Sequence, residues 1–244
     1  MSEVKLSKIF KVEYSSCDVK NEMNLSYILK KSQEISMQHC DEMEIGTDFL
    51  STVNKVFLLA KMKVTVFQMP KGGDILKIKT IPYLPERLQF QRINRFYNDN
   101  DKLMIDVDSR WILVDTTTGR ISRDIPKKFV DCMAFNAPKH PEDFKIKKYD
   151  DMNFVESIKV RYSQIDTNNH LNNAAYADII CNCAEKNLTD KSIKDFSIVY
   201  HHEAKYSKII NLYTTHKDDM LYVKGILEDG GLCFESSLTL KQNK

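Results

Sequence analysis

The feature that most constrains this chain is an internal repeat. Laying residues 10–28 without gaps on residues 158–176, an offset of 148, brings seven of nineteen positions into identity. They are Lys11 with Lys159, Val12 with Val160, Tyr14 with Tyr162, Ser15 with Ser163, Asp18 with Asp166, Asn21 with Asn169 and Asn24 with Asn172. Self-similarity at one offset, falling at the same architectural point in each half, means one unit used twice. Each copy runs from a short strand (10–14 and 155–162) through a polar turn into an apolar helix, expected over 24–39 and 172–188.

Long alternating stretches follow each helix: 61–67, 75–81, 88–97 and 103–114 in the first half, then 196–203, 209–217, 221–228 and 232–240 in the second. Alternation over runs this long predicts antiparallel strands with one face buried. Turn residues separate them, including Pro70-Lys71-Gly72-Gly73-Asp74 and Asp229-Gly230-Gly231. Asn172 and Asp229 stand 57 residues apart, against 74 between Asn24 and Asn98, so the first copy holds about 17 extra residues, expected in the loop-like text of 40–55. The segment 135–153, charged and with two prolines, reads as a linker between units 1–134 and 154–244. A helix followed by long antiparallel strands, given twice, predicts an α+β fold: two sheets, each wrapped round a central helix, paired edge to edge.

Composition enters chiefly through what it excludes. With 42% hydrophobic residues either one or two domains can build a core, and a formal charge of +2 with acids interspersed among the bases argues against nucleic acid. No apolar run approaches the ~20 residues needed to span a bilayer, and the opening Met-Ser-Glu-Val-Lys lacks a secretion-type apolar stretch, so a cytoplasmic protein is expected. Six cysteines without a Cys-x-x-Cys pair read as reduced core residues rather than a metal site.

The chemistry-bearing residues gather in the second copy's turn. Asp166, Asn168 and His170 place an acid, an amide and an imidazole at alternate positions just before the helix. The backbone N–H groups near Asn172 and Asn173, at the positive end of that helix, suit a carbonyl oxygen that gains charge during a reaction. Asp and Asn also shape turns and cap helices with no further role, which is the plainer reading of the same residues. At the aligned positions the first copy has Lys20 and Glu22 in place of Asn168 and His170, which cannot reproduce the same chemistry. One active copy is expected.

Four segments together resemble a known family. They are Asp166-x-Asn168-x-His170-Leu171-Asn172-Asn173, then Tyr200-His201-His202-Glu203, then Pro70-x-x-Gly73-Asp74, and finally the run from Ser109 to Asp115 leading to Ile125-Pro126. Over nearly the whole chain the sequence is similar to acyl-ACP thioesterases with tandem hot-dog domains. One position departs: Ala204 stands where the family often has a cysteine after the Glu.

The resemblance implies hydrolysis of a fatty acyl-ACP thioester to free fatty acid and acyl carrier protein, in fatty acid biosynthesis, with catalytic roles for Asp166, Asn168, His170 and Glu203. With Ala204 in place of a thiol, water is the expected nucleophile, with Glu203 or Asp166 as base and His170 and Asn168 orienting water and substrate. Beyond the phosphopantetheine arm of the substrate no cofactor is implied. No metal is expected either, because His201 and His202, as strand neighbours, would point to opposite faces. Met43, Ile45 and Phe49 in the extra segment are candidates to line an acyl pocket. For the acidic carrier protein, Arg120, Arg123, Lys127, Lys128, Lys145, Lys147 and Lys148 are candidate docking cations. An acyl-CoA thioesterase and a non-catalytic acyl-thioester binding module are the competing readings, and a homodimer of such chains is compatible with all three.

Overall fold

Ten strands line up in a single antiparallel sheet that carries both halves of the chain. The structure is a computed structural model that describes residues 6–133 and 143–242, so part of the expected linker, 135–142, lies outside the described residues. In the first half β1 (Leu6–Lys11), β2 (Lys55–Val66), β3 (Ile75–Pro82), β4 (Gln89–Tyr97) and β5 (Leu103–Asp115) accompany helix α1 (Leu25–Glu42). Short helices α2 (Thr47–Thr52) and α3 (Lys127–Met133) and a two-residue strand β6 (Arg120–Ile121) complete it. In the second half β7 (Asn153–Lys159), β8 (Lys191–Tyr200), β9 (Ile209–Lys217), β10 (Met220–Leu227) and β11 (Leu232–Gln242) accompany α4 (Ala175–Cys183) and α5 (Glu185–Leu188).

The strand order β1-β3-β4-β5-β2-β8-β11-β10-β9-β7 reads the same from either end once the repeat is applied. The two halves are therefore related by a pseudo-twofold axis at the β2–β8 junction, where Lys61 faces Val199 and Thr65 faces Asp195. Period-two alternation supplies the inner face, and α1 and α4 cover it side by side. One core runs under both halves, from Ile28, Leu29 and Val64 to Ala177, Ile180, Phe196 and Phe234. Each fully buried aromatic there contributes roughly 2–3 kcal/mol by burial. Gly225 leaves room for the ring of Phe234, since a Cβ at Gly225 would stand 2.2 Å from it.

The seams beneath the two helices differ. Under α4 the contacts are apolar, with Tyr176, Ala177 and Ile180 set against Leu212 and Phe234. Under α1 the apolar contacts of Ile28, Leu29 and Ile35 are joined by polar ones: Asn94 donates to the Ser32 carbonyl at 3.2 Å and to Ser36 Oγ at 3.2 Å, and the buried His39 and Arg92 meet one turn further on.

Several expected boundaries shift, each for a local reason. The text at 40–55 is not a loop, because α2 and the start of β2 occupy its second half. Strand β8 ends at Tyr200 rather than Glu203, since the N–H groups of His201 and His202 both turn onto the Cys233 carbonyl, at 2.8 and 3.2 Å, and close the ladder there. The second helix starts at Ala175 rather than Asn172, because Asn172 Oδ1 first accepts the Ala174 N–H at 2.9 Å, and it breaks at Ala184. The described end of the linker lies along the sheet, where Lys61 pairs with Asp143 and stacks on Phe144, and Tyr149 meets Tyr222 at 4.4 Å between ring centroids. Among the described residues no helix is long and apolar enough to cross a membrane.

Candidate active site

The second-copy turn is built around one carboxylate oxygen. Asp166 Oδ1 accepts the N–H of Asn168 at 2.8 Å and that of His170 at 3.2 Å, while the Asp166 N–H is donated to the His170 carbonyl at 2.8 Å. Closing so tight a loop forces Asn169 into the left-handed region at φ 62°, which Asn tolerates better than most residues. The chain leaving β8 runs antiparallel beside this loop, with Leu171 N–H on the Ala204 carbonyl at 2.8 Å and a bridge between His170 and Lys205. That pairing brings Glu203 to the imidazole. His170 Nε2 lies 3.2 Å from Glu203 Oε2, with the His side chain 22% and the Glu side chain 48% exposed. The site is thus open to water on its carboxylate side.

Tyrosines anchor the turn from below. Tyr176, in the first turn of α4, packs edge-on against Tyr200 and Phe234 at 5.3 and 5.2 Å, and Tyr200 Oη donates to the Asn173 carbonyl at 3.1 Å. Burial pushes both phenols far above their ordinary range, so they stay neutral. Sequence reasoning singled out Tyr200 only as part of a motif; its role as a strut needed the packing.

Of the two backbone groups considered for an oxyanion site, Asn172 N–H is already donated to the Gln164 carbonyl at 2.9 Å, which removes it from that role. Asn173 N–H has no such partner among the described residues. His201 and His202 do not lie on a strand, so the opposite-face argument does not apply to them. They are engaged separately: His201 Nε2 is 3.0 Å from Glu235 Oε2, and His202 Nδ1 donates to the Leu232 carbonyl at 2.8 Å.

The first-copy turn repeats this framework bond for bond. Asp18 Oδ1 accepts the N–H groups of Lys20 and Glu22 at 2.8 and 2.9 Å, Asp18 N–H meets the Glu22 carbonyl at 2.8 Å, and Asn21 adopts φ 60°. Asn24 N–H is donated to the Ser16 carbonyl as Asn172 N–H is to that of Gln164, at 2.9 Å in both. Met23 N–H meets the Pro70 carbonyl where Leu171 meets Ala204, and Glu22 bridges Lys71 where His170 bridges Lys205. That register sets Met69, which is buried, opposite Glu203. The sequence repeat, confined to nineteen positions, did not extend to this third difference.

The degenerate turn is locked to the other half. Lys20 Nζ donates to the Lys191 carbonyl at 2.6 Å and pairs with Glu22 at 3.0 Å, and Glu22 accepts the Ser192 hydroxyl at 2.7 Å. A cleft of about 350 Å³ opens here between Asp18–Leu25 and the α4–α5 region, including Cys181, Glu185 and Leu188.

The remaining candidates lie elsewhere. Met43, Ile45 and Phe49 belong to a satellite cluster with Phe90, Leu113, Phe129 and Met133, in which Ile45 is fully buried and Phe49 meets Phe129 edge-on at 5.7 Å. Arg120, in β6, and Arg123, just after it, are exposed, whereas Lys127 and Lys128 are paired with Asp131 and Glu44 at 2.7 and 3.0 Å. Lys145, Lys147 and Lys148 are exposed, with Lys147 Nζ 5.2 Å from the centroid of the Tyr149 ring.

Residues 3–133 match the family model for the acyl-ACP thioesterase N-terminal domain, and residues 147–241 that for the C-terminal domain. Among curated proteins the chain is 21% identical over 203 residues to oleoyl-acyl carrier protein thioesterase 2, chloroplastic, of Arabidopsis thaliana, covering 75% of this chain and 55% of that one. It is 24% identical to the palmitoyl-acyl carrier protein thioesterase, chloroplastic, of the same organism, covering 78% of this chain and 50% of that one. The chain spans about half the length of these relatives. Among solved structures an acyl-ACP thioesterase from Bacteroides thetaiotaomicron superposes with a TM-score of 0.89 at 18% identity, covering 99% of this chain and 100% of that one. The 12:0-ACP thioesterase from Umbellularia californica gives a TM-score of 0.88 at 16% identity, covering 100% and 99%. These likenesses establish the tandem hot-dog fold.

Proposed function

The chain belongs to the acyl-ACP thioesterase family, and we propose on that premise that it hydrolyses a fatty acyl-ACP thioester to free fatty acid and acyl carrier protein. The observation that carries this reading is the half-exposed Glu203 carboxylate held 3.2 Å from His170 Nε2 at the start of α4. Catalysis then falls to the unit beginning at residue 154.

In the reaction a water oxygen attacks the thioester carbon while its proton passes to Glu203. His170 holds that carboxylate in place, and the Asn168 amide orients water or substrate. Negative charge on the carbonyl oxygen meets the Asn173 N–H and the positive end of α4. When the C–S bond breaks, the pantetheine sulfur leaves as a thiolate and takes up the proton held by Glu203. Asp166 acts as scaffold rather than base, because Asp18 makes the same two hydrogen bonds in a turn that lacks the imidazole and the amide. Ala204, fully buried, marks a position whose side chain faces the core and not the open side of Glu203.

The acyl chain is assigned to the first unit, with Met43, Ile45 and Phe49 shaping its far end, and the exposed Arg120 and Arg123 to the acidic carrier. A panel of acyl-ACPs and acyl-CoAs of graded chain length tests the reading. Release of fatty acid from acyl-ACP, lost in Glu203→Gln, is expected. Tight binding of acyl-ACP with no release from any member would overturn it in favour of a binding module.

A further inference from the structure

We infer that the rim of the catalytic turn formed by Lys159, Arg161, Lys205 and Lys208, with Tyr162 and Tyr206 between them, is the subsite for the phosphate at the far end of the substrate's pantetheine arm. The inference rests on the thioesterase reading above, and it comes from setting this rim against its copy in the first half. Backbone bonds fix the correspondence. Val160 N–H is donated to the Lys208 carbonyl at 2.9 Å as Val12 N–H is to that of Asp74 at 2.8 Å, and Ser207 N–H to the Val160 carbonyl at 3.1 Å as Gly73 N–H is to that of Val12 at 2.9 Å. Tyr206 N–H meets the Asn169 carbonyl at 3.3 Å where Gly72 N–H meets that of Asn21 at 3.1 Å, and Lys205 bridges His170 where Lys71 bridges Glu22.

On this shared framework the charges diverge. The first copy carries Lys11, Glu13, Lys71 and Asp74, which cancel, while the second carries Lys159, Arg161, Lys205 and Lys208 at the same places. All four cations are exposed. Among the described residues only Lys208 has a carboxylate partner, the half-exposed Glu228 at 3.1 Å, so an excess of positive charge remains. Closing the turn does not call for these cations: Asp74 Oδ2 accepts the Lys71 N–H at 2.9 Å in the first copy, and both copies carry the main-chain bond from residue 74 or 208 to the carbonyl of residue 71 or 205 at 3.1 Å.

The aromatic groups diverge too. In the first copy the Tyr14 ring lies over the glycine turn, and a Cβ at Gly72 would stand 2.7 Å from it. Tyr206 puts a Cβ at that place, so Tyr162 stands off and meets the Tyr206 ring edge-on at 6.5 Å, leaving the two residues 80% and 51% exposed. Exposed rings flanked by cations, beside an open carboxylate, suit an arm with an apolar body and an anionic end. Lys208 follows Glu203 by five residues, so their Cα atoms lie within about 18 Å even for an extended chain, a span that the extended arm covers from thioester to phosphate.

The test measures binding to Glu203→Gln protein, in which the thioester is not consumed, by calorimetry with S-dodecanoyl-4′-phosphopantetheine and S-dodecanoyl-pantetheine. The phosphate should tighten binding about tenfold or more, and Arg161→Glu combined with Lys208→Asp, which installs the first copy's residues, should cut that preference to about twofold or less. Equal affinity for the two compounds with the rim intact, or a preference that survives the double exchange in a folded protein, would overturn the inference. Should the double variant not fold, Arg161→Gln alone is expected to lower the preference about threefold, and an undiminished preference would count the same way. With Glu203 restored, the double exchange should raise KM for acyl-ACP and acyl-CoA alike. A loss confined to acyl-ACP would place the cations against the carrier's protein surface, one confined to acyl-CoA against its nucleotide, and either would overturn the arm subsite. Calorimetry needs no turnover, so a protein that releases no fatty acid from any thioester defeats the thioesterase reading while the phosphate preference is still read.

Discussion

The two polar turns are the same backbone put to different uses. Asp18 and Asp166 each gather two N–H groups on one oxygen, and Asn21 and Asn169 each take the left-handed corner. These are the positions at which the copies remain identical. At the positions that differ, Lys20 for Asn168, Glu22 for His170 and Met69 for Glu203, closing the turn asks nothing of the side chain, since the bonds made there are main-chain ones. Identity between the copies therefore marks architecture, and divergence marks chemistry. In the first copy the freed positions have been turned toward holding the halves together, with Lys20 and Glu22 bonded to Lys191 and Ser192 of β8.

The comparison can be broken most sharply at Glu203. Glu203→Gln removes the proposed base but keeps the shape, and turnover should fall by roughly a thousandfold, while Met69→Leu in the first copy should leave it within about twofold. Steady-state hydrolysis of one acyl-ACP with both variants checks this; equal losses would mean that the copies share the chemistry.

A second contrast lies in the helix seams. His39 in the first half has its pKa lowered from 6.5 to about 4, so the unfolded chain binds the extra proton between those values. Stability supplied by the neutral buried imidazole is complete above pH 6.5 and is lost as pH falls toward 4. The loss should be on the order of 1–3 kcal/mol. Urea unfolding at pH 7 and pH 4.5 should show it, and His39→Gln should flatten that difference; an unchanged slope would refute the assignment.

The scaffold claim predicts that Asp18→Ala and Asp166→Ala destabilise by similar amounts, about 1–2 kcal/mol, since each frees two N–H groups of a part-exposed turn. Thermal melts of the two variants should agree. Asp166→Asn, which keeps an acceptor oxygen, should retain turnover within about tenfold. A hundredfold loss in a folded Asp166→Asn protein would return Asp166 to the chemistry.

Much of this was legible in the chain because backbone architecture leaves periodic and repeated traces. The strands after each helix alternate, and turn residues such as Asp229-Gly230-Gly231 separate them, so the α+β tandem arrangement could be read directly. What was not legible depends on contacts between distant segments. The Met69–Glu203 correspondence is carried by main-chain bonds from Leu171 to Ala204 and from Met23 to Pro70, which place no demand on side-chain identity. The end of β8 is set by the Cys233 carbonyl on a neighbouring strand, so alternation in the local text ran on past Tyr200. Asn172 looked free to bind an oxyanion because its partner, the Gln164 carbonyl, is fixed only when the turn closes. The polar seam of Ser36, His39, Arg92 and Asn94 went unnoticed because each residue sits singly in its own element.

The central claim, that one turn reacts and its copy only holds, is tested most directly by measuring kcat/KM on one acyl-ACP for His170→Ala and Glu22→Ala, both verified as folded. These residues occupy the same place in the two turns. His170→Ala should lose about two orders of magnitude or more, and Glu22→Ala should stay within about twofold of the native value. Retained activity in His170→Ala together with loss in Glu22→Ala would contradict the account.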